Sequence, residues 1–217
     1  MKSTCTLIFS LLLIAGAAFG QITGTPHDLS SVTGDSNTYH STNQDQICIF
    51  CHTPHAASAT NTPLWNRNDP ANTFQVYSSP TMHAFDPNGP IPNVSGTSLM
   101  CLSCHDGVTA LNSLIYNGSH GVPQMTGGNV ITGSANLNDA SGLTNDHPVS
   151  INYATALANG SALHATGTLP NWALKAGNRI ECTSCHNVHS FGATADMQPF
   201  LNASRTGSAL CLTCHIK

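Results

Sequence analysis

The chain repeats one five-residue pattern four times: Cys48-Ile49-Phe50-Cys51-His52, Cys101-Leu102-Ser103-Cys104-His105, Cys182-Thr183-Ser184-Cys185-His186 and Cys211-Leu212-Thr213-Cys214-His215. Two thiols three residues apart can bond to the two vinyl groups of one porphyrin, and the next histidine can bind its iron. Each copy therefore predicts one covalent haem c, with both cysteines as attachment points and the histidine as proximal iron ligand. We expect four haems, and refer to the copies as the first to fourth motifs.

A single Cys-x-x-Cys is also typical of a redox dithiol or of half a zinc site. Four copies, each followed directly by histidine, argue against both alternatives. Zinc sites place their histidines at other spacings, and a thioredoxin-like dithiol occurs once, beside a βαβ pattern. The sequence shows no such pattern.

The first 20 residues have the character of a secretory signal peptide. A short basic start precedes an apolar run from Leu7 to Phe19, and Ala18-Phe19-Gly20 is typical of a cleavage site. Cys5, the one cysteine outside the motifs, precedes the apolar run and is not placed as a lipoprotein cysteine would be. We expect an exported protein with a mature chain of residues 21–217 and no membrane span.

The mature chain is short for four haems. It offers roughly 50 residues per haem, far below the ~100–150 of an ordinary domain, so the haems are expected to stack and form a compact core. Pro and Gly interrupt almost every candidate element, which predicts a mostly irregular fold with short helices at the motifs. One small β-hairpin is expected, pairing 172–175 with 179–181 around a Gly177-Asn178 turn.

We interpret residues 21–217 as a single tetrahaem domain with two halves. The half for the first two haems spans 21–120, and the half for the other two spans 147–217. Residues 121–146 are rich in Gly, Asn, Ser and Thr and are expected to form the loop between the halves.

Charge is scarce in this chain. Only 7% of residues are charged and the net charge is −4, whereas an average soluble domain has about 25% charged residues. No basic patch occurs, so neither nucleic acid nor an acidic membrane surface is an expected partner. A surface of hydroxyl and amide groups is easier to desolvate than a charged one, which favours self-association.

The ligand on the second face of each iron decides between electron transfer and catalysis. The mature chain has eight histidines outside the motifs: His27, His40, His55, His83, His120, His147, His164 and His189. Four are enough to close every haem, and a stray methionine is more often packing. The alternative ligands are Met82, Met100, Met125 and Met197.

Spacing singles out His55 and His189, each of which follows a proximal histidine by three residues. Such a histidine cannot easily reach the far face of its own porphyrin, because the proximal histidine already holds the near face. It is expected to bind a different iron. Two irons bound by side chains three residues apart must be close neighbours.

His27 and His147 are the other two distal candidates. Each lies between or beside an aspartate and a proline, so a carboxylate is available to orient the ring. The remaining four are expected to be exposed or structural, with the first two as reserve ligands: His83, His120, His40 and His164.

Seven stretches, spread from residue 25 to the C-terminus, carry a family resemblance: Pro26-His27-Asp28-Leu29-Ser30, Cys48-Ile49-Phe50-Cys51-His52-Thr53-Pro54-His55, Pro63-Leu64-Trp65-Asn66-Arg67, Leu99-Met100-Cys101-Leu102-Ser103-Cys104-His105-Asp106-Gly107, Asp146-His147-Pro148-Val149-Ser150 and the two C-terminal motifs. In combination they resemble the multihaem c-type cytochromes of metal-respiring bacteria. The likeness is greatest to the OmcE-like extracellular tetrahaem cytochromes, bacterial and archaeal, which polymerise into filaments.

The resemblance implies that every iron has two histidine ligands, the distal ones being His27, His55, His147 and His189. In filament-forming relatives one iron takes its distal histidine from the neighbouring subunit. If this holds here, His55 is the first expectation for the donated ligand and His27 the second.

Three functions stay open at this point. The first is a non-enzymatic electron conduit, in which head-to-tail copies form a conductive extracellular filament that exchanges electrons with other cytochromes or extracellular acceptors. The second is a soluble periplasmic electron shuttle. The third is a multihaem reductase of small molecules, which needs an open iron position, whereas all four motifs end in histidine and further histidines are plentiful.

Overall fold

The structure is a computed structural model that describes residues 22–33, 37–84 and 93–217. The expected signal peptide, with Cys5, lies outside those residues. Most of the described chain is irregular, which confirms the fold predicted from its Pro and Gly content. Among the residues that the structure describes, no helix combines the length and apolar character needed to cross a membrane.

The helices of the described chain are short. Four are α-helices: α1 (Gly96–His105), α2 (Tyr153–Ala158), α3 (Cys182–Cys185) and α4 (Ala209–Leu212). Turns of 3₁₀ helix lie at Ile47–Phe50, Gly118–His120, Gly133–Ala135, Thr166–Thr168, Ala195–Met197 and Thr206–Ser208. Each motif begins in or just before one of these helical turns, as predicted.

A two-stranded antiparallel sheet joins β1 (Ile151–Asn152) to β2 (Arg179–Ile180). Ile151 and Ile180 face each other in the register, and both are buried in one hydrophobic cluster with Tyr153. The sheet therefore ties the chain just after His147 to the segment that leads into the third motif.

The expected hairpin around Gly177-Asn178 is closed by a single bridge. Lys175 and Arg179 exchange backbone hydrogen bonds of 2.9 and 3.3 Å. Gly177 and Asn178 have φ of 73° and 58°, the positive values that tight hairpin turns require. The longer pairing of β2 is with β1 and not across this turn.

Two small hydrophobic clusters lie among the described residues. The first contains Phe74, Val76, Val94, Leu102 and Leu143, and the second contains Ala84, Ile151, Tyr153, Ala156 and Ile180. Leu102 lies between the cysteines of the second motif, and Cys214 of the fourth motif packs on the second cluster. The first cluster therefore includes a residue of the second motif, and the second cluster contacts a residue of the fourth motif. That stacked haems form the compact core stays a prediction.

Residues 121–146 pack against the first half of the chain. The Thr42 N–H donates to the Gln124 carbonyl at 2.8 Å, and the Leu137 N–H donates to the His105 carbonyl at 2.9 Å. Gly107 has a φ of 69°, and a Cβ there would overlap the Asn136 side-chain amide. This segment is therefore part of the surroundings of the second motif.

Asn66 ties the first motif to a distant loop. Its backbone N–H donates to the Cys51 carbonyl at 2.8 Å, and its side-chain amide donates to the carbonyls of Ile49 at 2.6 Å and Tyr116 at 2.8 Å. Its amide oxygen accepts from the Tyr116 N–H at 2.9 Å. The side chain is fully buried, so these bonds are not replaced by water.

We expect Asn66→Ala to lower the free energy of unfolding by about 1–3 kcal/mol, because it leaves buried backbone groups of Ile49 and Tyr116 without partners. Thermal and denaturant unfolding of the haem-loaded protein would measure the loss. Asn68→Ala is the matched control, since Asn68 is exposed two residues further on. Equal stability of the two variants would contradict the role of Asn66.

Candidate metal centres

Each motif is wound into a helical turn. The N–H of the proximal histidine donates to the carbonyl of the first cysteine, at 2.7 Å in the first motif and 2.9 Å in the third and fourth, while the second motif lies inside α1. Residues three apart on a helical turn share one face. The two cysteines of each motif are therefore placed on the same side of the turn.

In the described chain, none of the eight motif cysteines forms a disulfide bond. Burial is the main cause that raises the pKa of the Cys51 thiol to about 12 and of the Cys185 thiol to about 11. A reactive redox dithiol needs a lowered thiol pKa. Cys51 and Cys185 lack that property, whereas interaction with Cys101 lowers the pKa of the Cys182 thiol.

The cysteine pairs of successive motifs are close in space. Cys101 and Cys182 lie close enough to shift each other's pKa, which is raised for Cys101 and lowered for Cys182, so the second motif is near the third. Cys51 interacts electrostatically with Cys104, and Cys185 interacts with the fourth motif in the same way. The attachment points therefore form a continuous series through the molecule.

Glu181 holds the second and third motifs together. Its carboxylate is only 2% exposed and accepts hydrogen bonds from the hydroxyls of Ser98 and, at 3.1 Å, Ser150. The Ser98 hydroxyl oxygen in turn accepts the Cys182 N–H at 2.9 Å. Glu181 also forms a capping box with Ser184 at the start of α3. The sequence contains no pattern that marks this carboxylate.

The rings of two proximal histidines hydrogen-bond backbone carbonyls through Nδ1: His52 to Pro63 at 2.8 Å and His105 to Ala135 at 2.7 Å. A carbonyl at Nδ1 orients the ring and leaves Nε2 for a metal ion. Sequence reasoning missed these carbonyls, because any residue can supply one.

Three proximal histidines lie near a second imidazole from a distant part of the chain. The ring centroids are 6.1 Å apart for His52 and His189, 6.0 Å for His105 and His27, and 6.4 Å for His215 and His147. An imidazole nitrogen bonds a metal ion at about 2 Å, so two imidazoles on opposite faces of one iron have centroids about 6 Å apart. All three separations suit a single iron.

A cavity of about 520 Å³ lies beside the first motif. Its lining includes Cys48, His52 and Tyr116, with more apolar than polar surface. Trp65 packs edge-on against His52 at 5.8 Å, and its buried indole nitrogen has no hydrogen-bond partner among the described residues. An apolar cavity with an imidazole and a cysteine on its wall suits a porphyrin.

His27 is held neutral in its pocket. Desolvation, followed by repulsion from His105, lowers its pKa to about 4, so the ring is uncharged at pH 7 and in the form that binds metals. The expectation that Asp28 orients this ring is wrong. That carboxylate accepts hydrogen bonds from the Gly24 N–H at 3.0 Å and the Ser30 hydroxyl at 2.6 Å, while the buried Nδ1 of His27 has no partner in the described chain.

The orienting group of His147 also differs from the expectation. Its Nδ1 lies 3.0 Å from the Pro148 carbonyl, and the Asp146 carboxylate makes no hydrogen bond to the ring. Burial, together with the nearby Asp139, raises the pKa of Asp146. The neighbouring proline thus provides its carbonyl as well as its stiffness.

Two predicted ligands make no ring contact with another imidazole in the described chain, although His186 lies near enough to His27 to help lower the pKa of that ring. Among residues 22–33, 37–84 and 93–217, no ring contact involves His186 or His55. His55 is exposed, and the Thr53 hydroxyl donates to its carbonyl at 2.8 Å, which shapes the turn that carries it. One proximal and one distal histidine are therefore left over once three pairs have formed.

The reserve ligands and His40 have other surroundings. His40 is buried with its Nδ1 2.7 Å from the Asn37 carbonyl, and the His120 Nε2 lies 3.3 Å from an Asp45 carboxylate oxygen. His83 is exposed. In the described chain none of the three makes a ring contact with a proximal histidine.

One family model matches part of the chain. The doubled CXXCH motif family matches residues 174–217, which contain the third and fourth motifs. This match indicates a multihaem c-type cytochrome that transfers electrons through covalently bound haem c with iron. The comparison with curated proteins found no significant match. The filament likeness and the number of four haems stay predictions.

Proposed function

We propose that the protein is a non-enzymatic electron conduit with four haems, exported from the cell and assembled head to tail into an extracellular filament. The observation that carries the proposal is the set of three facing imidazole pairs with one proximal and one distal histidine left over. Bound haem supplies a one-electron iron couple. The chain supplies the covalent anchors and the iron ligands.

Each pair would close both faces of one iron: His52 with His189 on the first motif, His105 with His27 on the second and His215 with His147 on the fourth. Two imidazoles leave no coordination position for a substrate, which suits electron transfer, and they favour the ferric state. The reduction potentials are therefore expected to be low.

The pairing follows a rule that repeats along the chain. His27 precedes the first motif and pairs with the second, and His147 precedes the third motif and pairs with the fourth. His189, three residues after the third proximal histidine, pairs two motifs back. His55 has the same position after the first motif. In a row of copies, counting two motifs back from the first motif reaches the third motif of the preceding copy. The proximal histidine of that motif is His186, which makes no ring contact in the described chain.

This rule gives the contact between copies a direction. The donor, His55, and the acceptor, His186, are different surfaces of the chain, so the contact is head to tail and extends into an open filament unless its rotation closes a ring. A shared iron ligand would make the contact strong and specific. The weakly charged surface favours the same self-association.

The unpaired His186 also favours a competing function. In an isolated chain the iron on the third motif would keep an open position, which a reductase of small molecules needs. A periplasmic shuttle would share the other three pairs and stay monomeric. The two alternatives differ from the filament in assembly and in the spin state of one haem.

Electron microscopy of the extracellular fraction, combined with haem analysis, tests the proposal. We expect filaments with four haems per chain and low-spin iron throughout. Monomers confined to the periplasm with all iron low-spin would favour the shuttle. Monomers with one high-spin haem that binds nitrite would favour the reductase. Either outcome would overturn the filament.

A further inference from the structure

Arg67 is a fully buried cation between the first two motifs. Its exposed fraction is 0%. Its Nε and Nη2 donate to the Ser103 carbonyl at 3.1 and 2.9 Å, and the guanidinium also donates to the carbonyls of Leu111 at 2.8 Å and Ala110 at 2.6 Å. Ser103 lies between the cysteines of the second motif. The preceding residue, Asn66, is bonded to the first motif, so the charge is held against both.

All of these hydrogen-bond acceptors are neutral. In the described chain no carboxylate forms an ion pair with Arg67. A buried charge without a counterion is costly, because carbonyl dipoles replace only part of its hydration. A glutamine amide has only two N–H donors, so it could serve at most two of these three carbonyls. The guanidinium bridges all three and in doing so places a positive charge at this position.

Arg67 is held against both motifs by hydrogen bonds. Its guanidinium donates to the Ser103 carbonyl inside the second motif, and the N–H of the preceding residue, Asn66, donates to the Cys51 carbonyl of the first motif at 2.8 Å. The positive charge therefore lies close to the attachment cysteines of both motifs.

We propose that Arg67 is a fixed positive charge that raises the reduction potentials of the haems on the first and second motifs relative to those on the third and fourth. Reduction adds one electron to ferric iron and lowers the charge of the haem by one, so a nearby cation favours the ferrous product. The inference rests on the proposed function, because it needs a haem on each motif. It gives the conduit a potential step between its two halves.

Redox titration of the haem-loaded protein, followed by haem absorbance, tests this role. Arg67→Gln removes the charge and keeps amide donors, whereas Arg67→Lys keeps the charge and loses the forked hydrogen bonds. Arg205→Gln is the matched control, because Arg205 also donates to backbone carbonyls, those of Asp196 and Ala195, but is exposed to solvent.

We expect Arg67→Gln to move two of the four one-electron components to lower potential, by about a tenfold change in their reduction equilibrium or ~59 mV. Arg67→Lys and Arg205→Gln are expected to titrate like the parent protein. In Arg67→Lys, raising the pH until the lysine loses its proton should lower the same two components. That measurement tests the charge even if Arg67→Gln does not fold.

The proposal is overturned if Arg67→Gln and Arg67→Lys shift the components equally, if all four components move together, or if none moves. Haem analysis of the parent protein separates this result from the proposed function. Fewer than four haems per chain would overturn the four-haem conduit, whereas four haems with unmoved potentials would overturn only the role of Arg67.

Discussion

Replacing His55 with alanine is expected to abolish filament assembly while four haems stay attached to each chain. The cysteines and proximal histidines are untouched, so covalent haem content should not change. The iron on the third motif, bound by His186, would lose its distal ligand and become high-spin. The readouts are electron microscopy for assembly, haem absorbance for content and electron paramagnetic resonance for spin state.

Three comparisons sharpen this prediction. His83→Ala, which removes an exposed histidine without a ring contact in the described chain, should keep both filaments and low-spin iron. His189→Ala should give one high-spin haem inside intact filaments, because its partner His52 is in the same chain. Added imidazole should restore low-spin iron to His55→Ala without restoring filaments. Intact filaments of His55→Ala would show that this histidine acts within the chain or not at all.

The double substitution Cys101→Ala and Cys104→Ala is expected to remove one haem and to prevent stable folding. The second motif is the structural centre of the chain: Arg67 bonds it to the segment that holds the first motif, and Glu181 bonds it to the third. Losing the haem expected on the second motif should lower the free energy of unfolding by more than ~5 kcal/mol, as much as the total stability of many domains.

Haem analysis and thermal unfolding would measure this effect. The matched control is Cys211→Ala with Cys214→Ala, which removes the haem of the C-terminal motif, where Cys211 is exposed. That variant should retain three haems and a cooperative unfolding transition. A second-motif variant as stable as this control would contradict the central role of the second motif.

The features that could be predicted depend on residues close together in the sequence. The attachment motifs depend on residues three apart in one helical turn, so the sequence alone reveals them. His189 was expected to bind an iron other than that of His186, and it lies against His52; its role as a ligand stays a prediction. Asp28 was misassigned because an aspartate readily bonds backbone and hydroxyl groups two to four residues away.

Long-range contacts explain what could not be predicted. The carbonyl of Ala135 reaches His105 from a segment expected only to link two halves. Asn66 and Arg67 belong to a stretch that carries the family resemblance, but nothing in their sequence pattern shows that they join the first motif to the second. Backbone carbonyls and buried bridges leave no trace in sequence spacing.

The sequence by itself determined the chemistry of the chain, namely paired cysteines with an adjacent histidine, repeated in an irregular fold. These features depend on covalent spacing and composition, which folding does not alter. Only the tertiary structure decided which imidazoles face each other, and in the described chain it left His186 and His55 without a ring contact. The physical reason is that the facing imidazoles come from residues far apart in the chain, and their approach depends on buried hydrogen bonds such as those of Asn66 and Glu181.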